Sequence, residues 1–136
     1  MSASNGNIAN PHYQRIVEII DNHVESKGKI FSYCMTDGGM VSVAVYSDEG
    51  DHIFWHYMLD ELSDPVRDAW HAGPEGKRWE YFELDVNDED FTFDFTYPTE
   101  IDPDESWSDR EVRLLKKHLG KKPVDYGSPE GWVYPD

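Results

Sequence analysis

From Tyr13 onward apolar residues fall at Ile16, Val17, Ile20 and Val24, the spacing of one helical face. Pro11 suits the first turn of that helix and Gly28 its stop. Two strand-like runs follow, residues 29–36 and 40–46, around Asp37-Gly38-Gly39, whose composition favours a hairpin turn. In the second run Val41, Val43 and Val45 share one face and Ser42 and Ala44 the other, which predicts a sheet covered on one side. Residues 47–51 turn the chain into a third strand over residues 52–59, where Ile53, Trp55 and Tyr57 alternate with Phe54 and His56. Leu62, Val66, Ala69 and Trp70 then return to helical spacing. With Ser63 or Asp64 as cap, Pro65 in the first turn and Gly73-Pro74 beyond, they predict a short helix over residues 64–72.

The clearest strands are residues 78–86 and 91–97, joined by Asn87-Asp88-Glu89-Asp90. Phe91, Phe93, Phe95 and Tyr97 line one face of the latter, and Thr92, Asp94 and Thr96 the other, so one face must be buried. A closing helix is capped by Ser106 or Ser108 and carries Val112, Leu115 and Leu119 up to Gly120. Asp109 and Glu111 lie in its first turn and Lys116, Lys117 and His118 in its last, as the helix dipole favours. The remaining tail holds Tyr126, Trp132 and Tyr134, aromatics suited to pinning it on the core. The expected fold is α+β: one domain over residues 11–136, an antiparallel meander packed on one face against N-terminal, central and C-terminal helices, after a flexible tail over residues 1–10.

Charge narrows the choice of ligand. A net charge of -16 repels phosphate backbones and anionic lipid and attracts basic proteins, so nucleic acid and membrane surfaces are not expected partners. Cys34 is the single cysteine, which excludes an intrachain disulfide and suits a reducing cytoplasm. The first residues lack the pattern of a signal peptide, and cytoplasmic location is expected.

Catalytic and metal patterns are sparse. An EF-hand starting at Asp85 puts Asp90 where glycine belongs and Thr96 where glutamate belongs, and one starting at Asp102 puts Trp107 and Arg113 there. His52 and His56 lie four apart but in a predicted strand, and no third ligand follows. Cys34 has no basic neighbour in sequence and reads as a buried structural thiol. No catalytic residue, cofactor or metal is assigned. What stands out is acid interleaved with aromatics: Asp94, Tyr97, Glu100, Asp102, Asp104, Glu105 and Trp107, with Asp85, Asp88, Glu89 and Asp90 in the preceding turn region. Aromatic anchors amid steering charges describe a protein interface. Tyr97 and Trp107 as core residues beside merely solvated acids fit the same pattern, and the sequence leaves both readings open.

The stretch from Trp79 through Leu84, Phe91-Thr92-Phe93-Asp94-Phe95-Thr96-Tyr97 and Ile101-Asp102 to Asp109-Arg110-Glu111 resembles the YezG-like family of bacterial immunity proteins. The likeness in element order extends from about Tyr13 to Val124, although members of that family have a long central helix and residues 64–72 allow only a short one. The resemblance implies an antitoxin without catalytic residues, held in the producing cell's cytoplasm and directed at a polymorphic toxin, often a nuclease. A nuclease carries positive charge to hold nucleic acid, so an acidic protein suits it as a partner. The alternative is a generic acidic interaction module with no toxin partner; oligomeric state is left open.

Overall fold

Three helices and six strands, among the described residues, make up the computed structural model, which describes residues 11–134 except Lys27 and Glu89. The expected tail over residues 1–10 lies outside the described residues. In chain order the elements are α1 (Pro11–His23), β1 (Ile30–Thr36), β2 (Val41–Asp48), β3 (Ile53–His56), α2 (Leu59–Ala72), β4 (Tyr81–Asn87), β5 (Asp90–Thr96), a 3-10 turn (Pro98–Glu100), α3 (Trp107–Leu119) and β6 (Val124–Asp125).

They form a single α+β domain around one mixed sheet in the order β5-β4-β1-β2-β3-β6. The meander is confined to β1, β2 and β3; the chain then crosses through α2 to the far side of β1, where β4 and β5 add a second hairpin. β6 runs parallel to β3, pairing Val124 with Ile53, and a bridge between Val124 and Val133 ties the tail down.

Helices cover both faces of the sheet, not one. On the first face Tyr13, Ile16 and Ile20 of α1 and Leu62, Val66 and Ala69 of α2 pack over Cys34, Val45, Phe82, Leu84, Phe93 and Phe95. On the second, Leu114, Leu115 and Leu119 of α3 pack over Phe31, Tyr33, Ala44, Tyr46 and Tyr81. The signal was in β1: Ile30, Phe31, Ser32, Tyr33 and Cys34 are all buried, which is the pattern of a strand sandwiched between two layers. Ala44 was expected to face solvent; α3 buries it.

Element ends shift for identifiable reasons. α2 starts five residues earlier than expected, at Leu59 rather than 64, because Met58 and Leu62 bury an extra turn against the first core. The central helix is therefore 14 residues long, and the short helix expected from the sequence is corrected. Ser106 caps α3, its hydroxyl accepting from the Asp109 amide at 3.1 Å.

The first core is built on aromatic edges. Tyr13 meets Phe93 and Phe95 edge-on with ring centres 5.3 and 5.2 Å apart, and its hydroxyl accepts from the Trp79 indole N–H at 2.8 Å. Trp70 in turn donates its indole N–H to the Trp79 carbonyl at 3.0 Å, which joins α1, α2 and the start of β4. Phe93 is fully buried in this cluster, with Phe82 and Phe95 also against it. Replacing Phe93 with Ala is expected to cost about 3–5 kcal/mol, the usual range for emptying a buried Phe site. Urea unfolding checks this, and a midpoint unchanged from the parent would put β5 on the wrong face.

Candidate functional site

Beneath α3 the second face holds ionisable groups as well as apolar ones. Glu83 and Asp85 project from β4 on the same side, and His118 from the last turn of α3 sits between them: Nε2 lies 2.6 Å from Glu83 Oε1 and Nδ1 2.8 Å from Asp85 Oδ2. The imidazole stacks on Phe31 with ring centres 4.2 Å apart. Lys117 bonds Glu83 Oε1 at 2.9 Å, and Lys29 reaches both Asp85 Oδ1 at 3.3 Å and the His118 carbonyl at 3.0 Å. Burial opposes the charged imidazolium, but the bonds to Asp85 and Glu83 outweigh it and hold His118 above its ordinary value. Burial likewise opposes the Glu83 carboxylate, and the bonds from His118 and Lys117 overcome it and hold that group below its ordinary value. This cluster clamps α3 to the sheet. It also takes Asp85 out of the set of free acids, since β4 turns its carboxylate toward His118 and Lys29.

A second buried cation lies at the other end of α3. Arg110 packs its guanidinium over Tyr81, 4.7 Å from the ring centre, and donates to the Tyr33 hydroxyl at 3.2 Å. Its charge is balanced by Glu105, 3.7 Å away, which also makes a two-pronged pair with Arg113 at 2.7 and 3.0 Å. Glu105 is therefore a structural counter-ion rather than a free surface acid, with its side chain only 17% exposed.

The other acids in the loop point outward. Glu100 accepts from the Tyr97 amide, Asp102 from the Asp104 amide, and both remain exposed, as does Asp104. Among the described residues none of these three is paired with a cation. Tyr97 packs partly against the first core, whereas Trp107 is 69% exposed, so the two aromatics divide between the readings the sequence left open. Asp94 is exposed on β5, opposite Glu83 in the register. Asp88 and Asp90 are exposed at the β4–β5 turn, where Asp88 takes a left-handed backbone with φ 56°, and Glu89 lies outside the described residues. Since β5 runs from Asp90 to Thr96, that turn and the Glu100–Asp104 acids sit at opposite ends of a strand about 20 Å long. The loop acids and the turn acids are thus two separate patches.

Trp107 has neighbours that sequence reasoning missed. It lines a cavity of about 200 Å³ with Met35, Met40, Val41, Asp37 and Glu80, at the tip of the β1–β2 hairpin and the entry to β4. Met40 is 84% exposed. The tip is held from behind by α2, where Arg67 Nε donates to the Gly39 carbonyl at 3.0 Å and His71 lies 3.1 Å from the Gly38 carbonyl, and from within the hairpin by Thr36 of β1, whose Oγ1 donates to the Met40 carbonyl at 2.6 Å. Gly38 has φ 97°, and a Cβ there would meet the Trp70 ring at 2.5 Å, so only glycine fits. The available sequence signal was Met40 itself, a large apolar residue directly after a Gly-Gly turn.

The remaining candidates are structural. Cys34 is fully buried and burial pushes its thiol up to about 12, far from a reactive thiolate. His52 stacks on Trp132 with centres 4.2 Å apart, and His56 lies 2.8 Å from Ser47 Oγ. Ser47 is itself completely buried. Among the described residues no group of three or more His, Cys, Asp or Glu side chains is placed to hold a metal ion, and no helix is long and apolar enough to cross a membrane. No protein-family model matches the chain, and no curated protein matches it.

The α3 clamp makes stability pH-dependent in a stated direction. His118 is raised above 6.5, so its contribution is complete below that pH and is lost as pH rises through its folded value. Glu83 is lowered below 4.5, so its contribution is complete above that pH and is lost as pH falls through its folded value. Both are fully present between pH 4.5 and 6.5. Urea unfolding across and beyond this window is expected to show His118→Gln removing the decline on the alkaline side and shrinking, without abolishing, the Glu83-linked acid decline, because Lys117 still bonds that carboxylate. An alkaline limb identical in the variant would show that His118 is not the group responsible.

Proposed function

We propose that the protein is an immunity protein that binds and neutralises a basic toxin, using the outward acids of the loop before α3 as a steering rim and Trp107 as an anchor. The observation that carries this reading is an exposed tryptophan on a rigid helix start, beside carboxylates free of intramolecular cations, in a chain of net charge -16. Interface aromatics of this kind anchor a complex, while surrounding acids raise the encounter rate with a cationic partner. The resemblance of residues 79–111 to YezG-like immunity proteins supplies the partner class, and a nuclease fits it because a surface that grips phosphates is basic. The toxin-facing surface is the loop and Trp107; Glu105 is excluded from it because Arg110 and Arg113 occupy its carboxylate.

The decisive experiment expresses the product of the gene immediately upstream in a susceptible bacterial host, with and without this chain. Growth is expected only with it, and growth arrest that persists on co-expression sinks the toxin reading. With the partner in hand, changing Glu100 to Gln and Asp102 and Asp104 to Asn is expected to leave stability within about 0.5 kcal/mol per site, since amide side chains keep both loop hydrogen bonds. Stopped-flow association is then expected to slow and to lose much of its salt dependence, whereas Trp107→Ala acts mainly on dissociation and costs at least about 2 kcal/mol of affinity. Association rates and salt slope equal to the parent's would remove the loop as the steering rim.

A further inference from the structure

The cavity under Trp107 combines chemistry that suits one kind of side chain. Its lining brings Met35, Met40, Val41 and Trp107 together with two acidic residues, Asp37 and Glu80, and with the hydroxyl residues Thr36 and Ser42. Among the described residues neither carboxylate is paired with a cation; Asp37 accepts only the Gly39 amide, at 2.9 Å. The cations packed around the hairpin tip are already committed, Arg78 among them, with its guanidinium 4.6 Å over the Trp70 ring and donating to the His71 carbonyl at 3.1 Å. Arg110 is connected to Met35 through the Tyr33 hydroxyl and is balanced by Glu105, and Arg67 is held by Asp64 at 2.9 Å and by the Gly39 carbonyl. His71, the remaining basic group packed on the hairpin tip, faces the Gly38 carbonyl.

Resting on the reading of the protein as a binder of a basic partner, we infer that this cavity is a subsite for one arginine side chain presented by that partner. The three methylenes of arginine fill the space between the methionines and Val41, which a short side chain leaves empty. Its guanidinium is planar and weakly hydrated, so it stacks on the Trp107 indole while donating to the carboxylates; an ammonium is held less well in that geometry. A volume of about 200 Å³ accommodates a single long side chain and not a folded element. Methionine walls adapt to the bound stem at little cost, because the thioether side chain has several rotatable bonds and no branch. The hairpin tip that supplies Asp37 and Met40 is braced by α2, so the acidic end of the subsite is in place before the partner arrives.

The probe is the capped peptide acetyl-Gly-Arg-Gly-amide, titrated into isotopically labelled full chain and read by NMR at the Trp107 indole N–H and the Met35 and Met40 methyl groups. Saturable shifts confined to these groups are expected. The matching citrulline peptide, equal in shape but uncharged, is expected to bind about tenfold more weakly, equivalent to about 1.4 kcal/mol. The double variant Asp37→Asn, Glu80→Gln is expected to reduce arginine binding to the citrulline level with spectra elsewhere unchanged. Absence of saturable shifts up to the solubility limit of the peptide, or equal binding of the citrulline peptide, overturns the inference. Failure of the subsite and failure of the toxin reading are separable. Peptide binding without rescue of toxin-expressing cells keeps the subsite and removes the immunity role; rescue undiminished in the double variant, without peptide binding, does the reverse.

Discussion

His118 sits between the carboxylates of Glu83 and Asp85 with Phe31 stacked on its ring, and the outer layer of the fold takes its position from that contact. Burying two carboxylates beside the His118 ring is costly, and the cost is offset where His118, Lys117 and Lys29 meet them. A shift of α3 along the sheet would carry both His118 and Lys117 away from the buried carboxylate of Glu83. The clamp therefore selects one placement of the helix more sharply than Leu114, Leu115 and Leu119 do, since an apolar stripe tolerates sliding that paired charges do not. Lys117 and Lys29 add cations to the same carboxylates, and the Lys29 bond to the His118 carbonyl ties the helix end to the start of β1.

With one end of α3 fixed, the other end follows. The Ser106 cap and the Arg110–Glu105 pair define where the acidic loop meets the helix, and Trp107 projects from the first turn largely exposed. The hairpin tip on the opposite wall is fixed independently, by α2 through Arg67, His71 and the tight approach of Gly38 to Trp70. Two rigid supports from different faces of the sheet thus set the width of one cavity. The backbone of such a site is in place before binding, and the entropy lost on binding falls on the exposed Met40 and Trp107 side chains.

The distribution of charge follows the same division. Glu83, Asp85 and Glu105 have found cations, while among the described residues Glu100, Asp102, Asp104, Asp37 and Glu80 are paired with none. Uncompensated surface acids repel one another and weaken the folded state, a cost that binding a cationic partner relieves. The proposed function and the arginine subsite both draw on this residue of unpaired charge.

Periodicity along the chain determined most of the elements, though not β6, the 3-10 turn or the start of α2, and one of the two cores. The stripe from Tyr13 to Val24, the alternation of Phe91, Phe93 and Phe95, the Asp37-Gly38-Gly39 turn and the Ser106 cap are all local rules, settled by neighbours within a few residues, and each is found in the fold. The second core was less legible because a strand buried on both faces loses its alternation, and the run from Ile30 to Cys34 carries no period to read. Which acids are free was not legible at all. Glu105 and Glu100 look alike in sequence, and only tertiary structure brings Arg110 and Arg113 to the first and leaves the second in water. The same holds for Met40, Glu80 and Trp107, separated by tens of residues and joined by the crossover that places β4 beside β1. Backbone rules act over a turn of helix or a strand pair, so they are written in the sequence; the meeting of side chains across a sheet depends on strand order, and that is decided only when the layers pack.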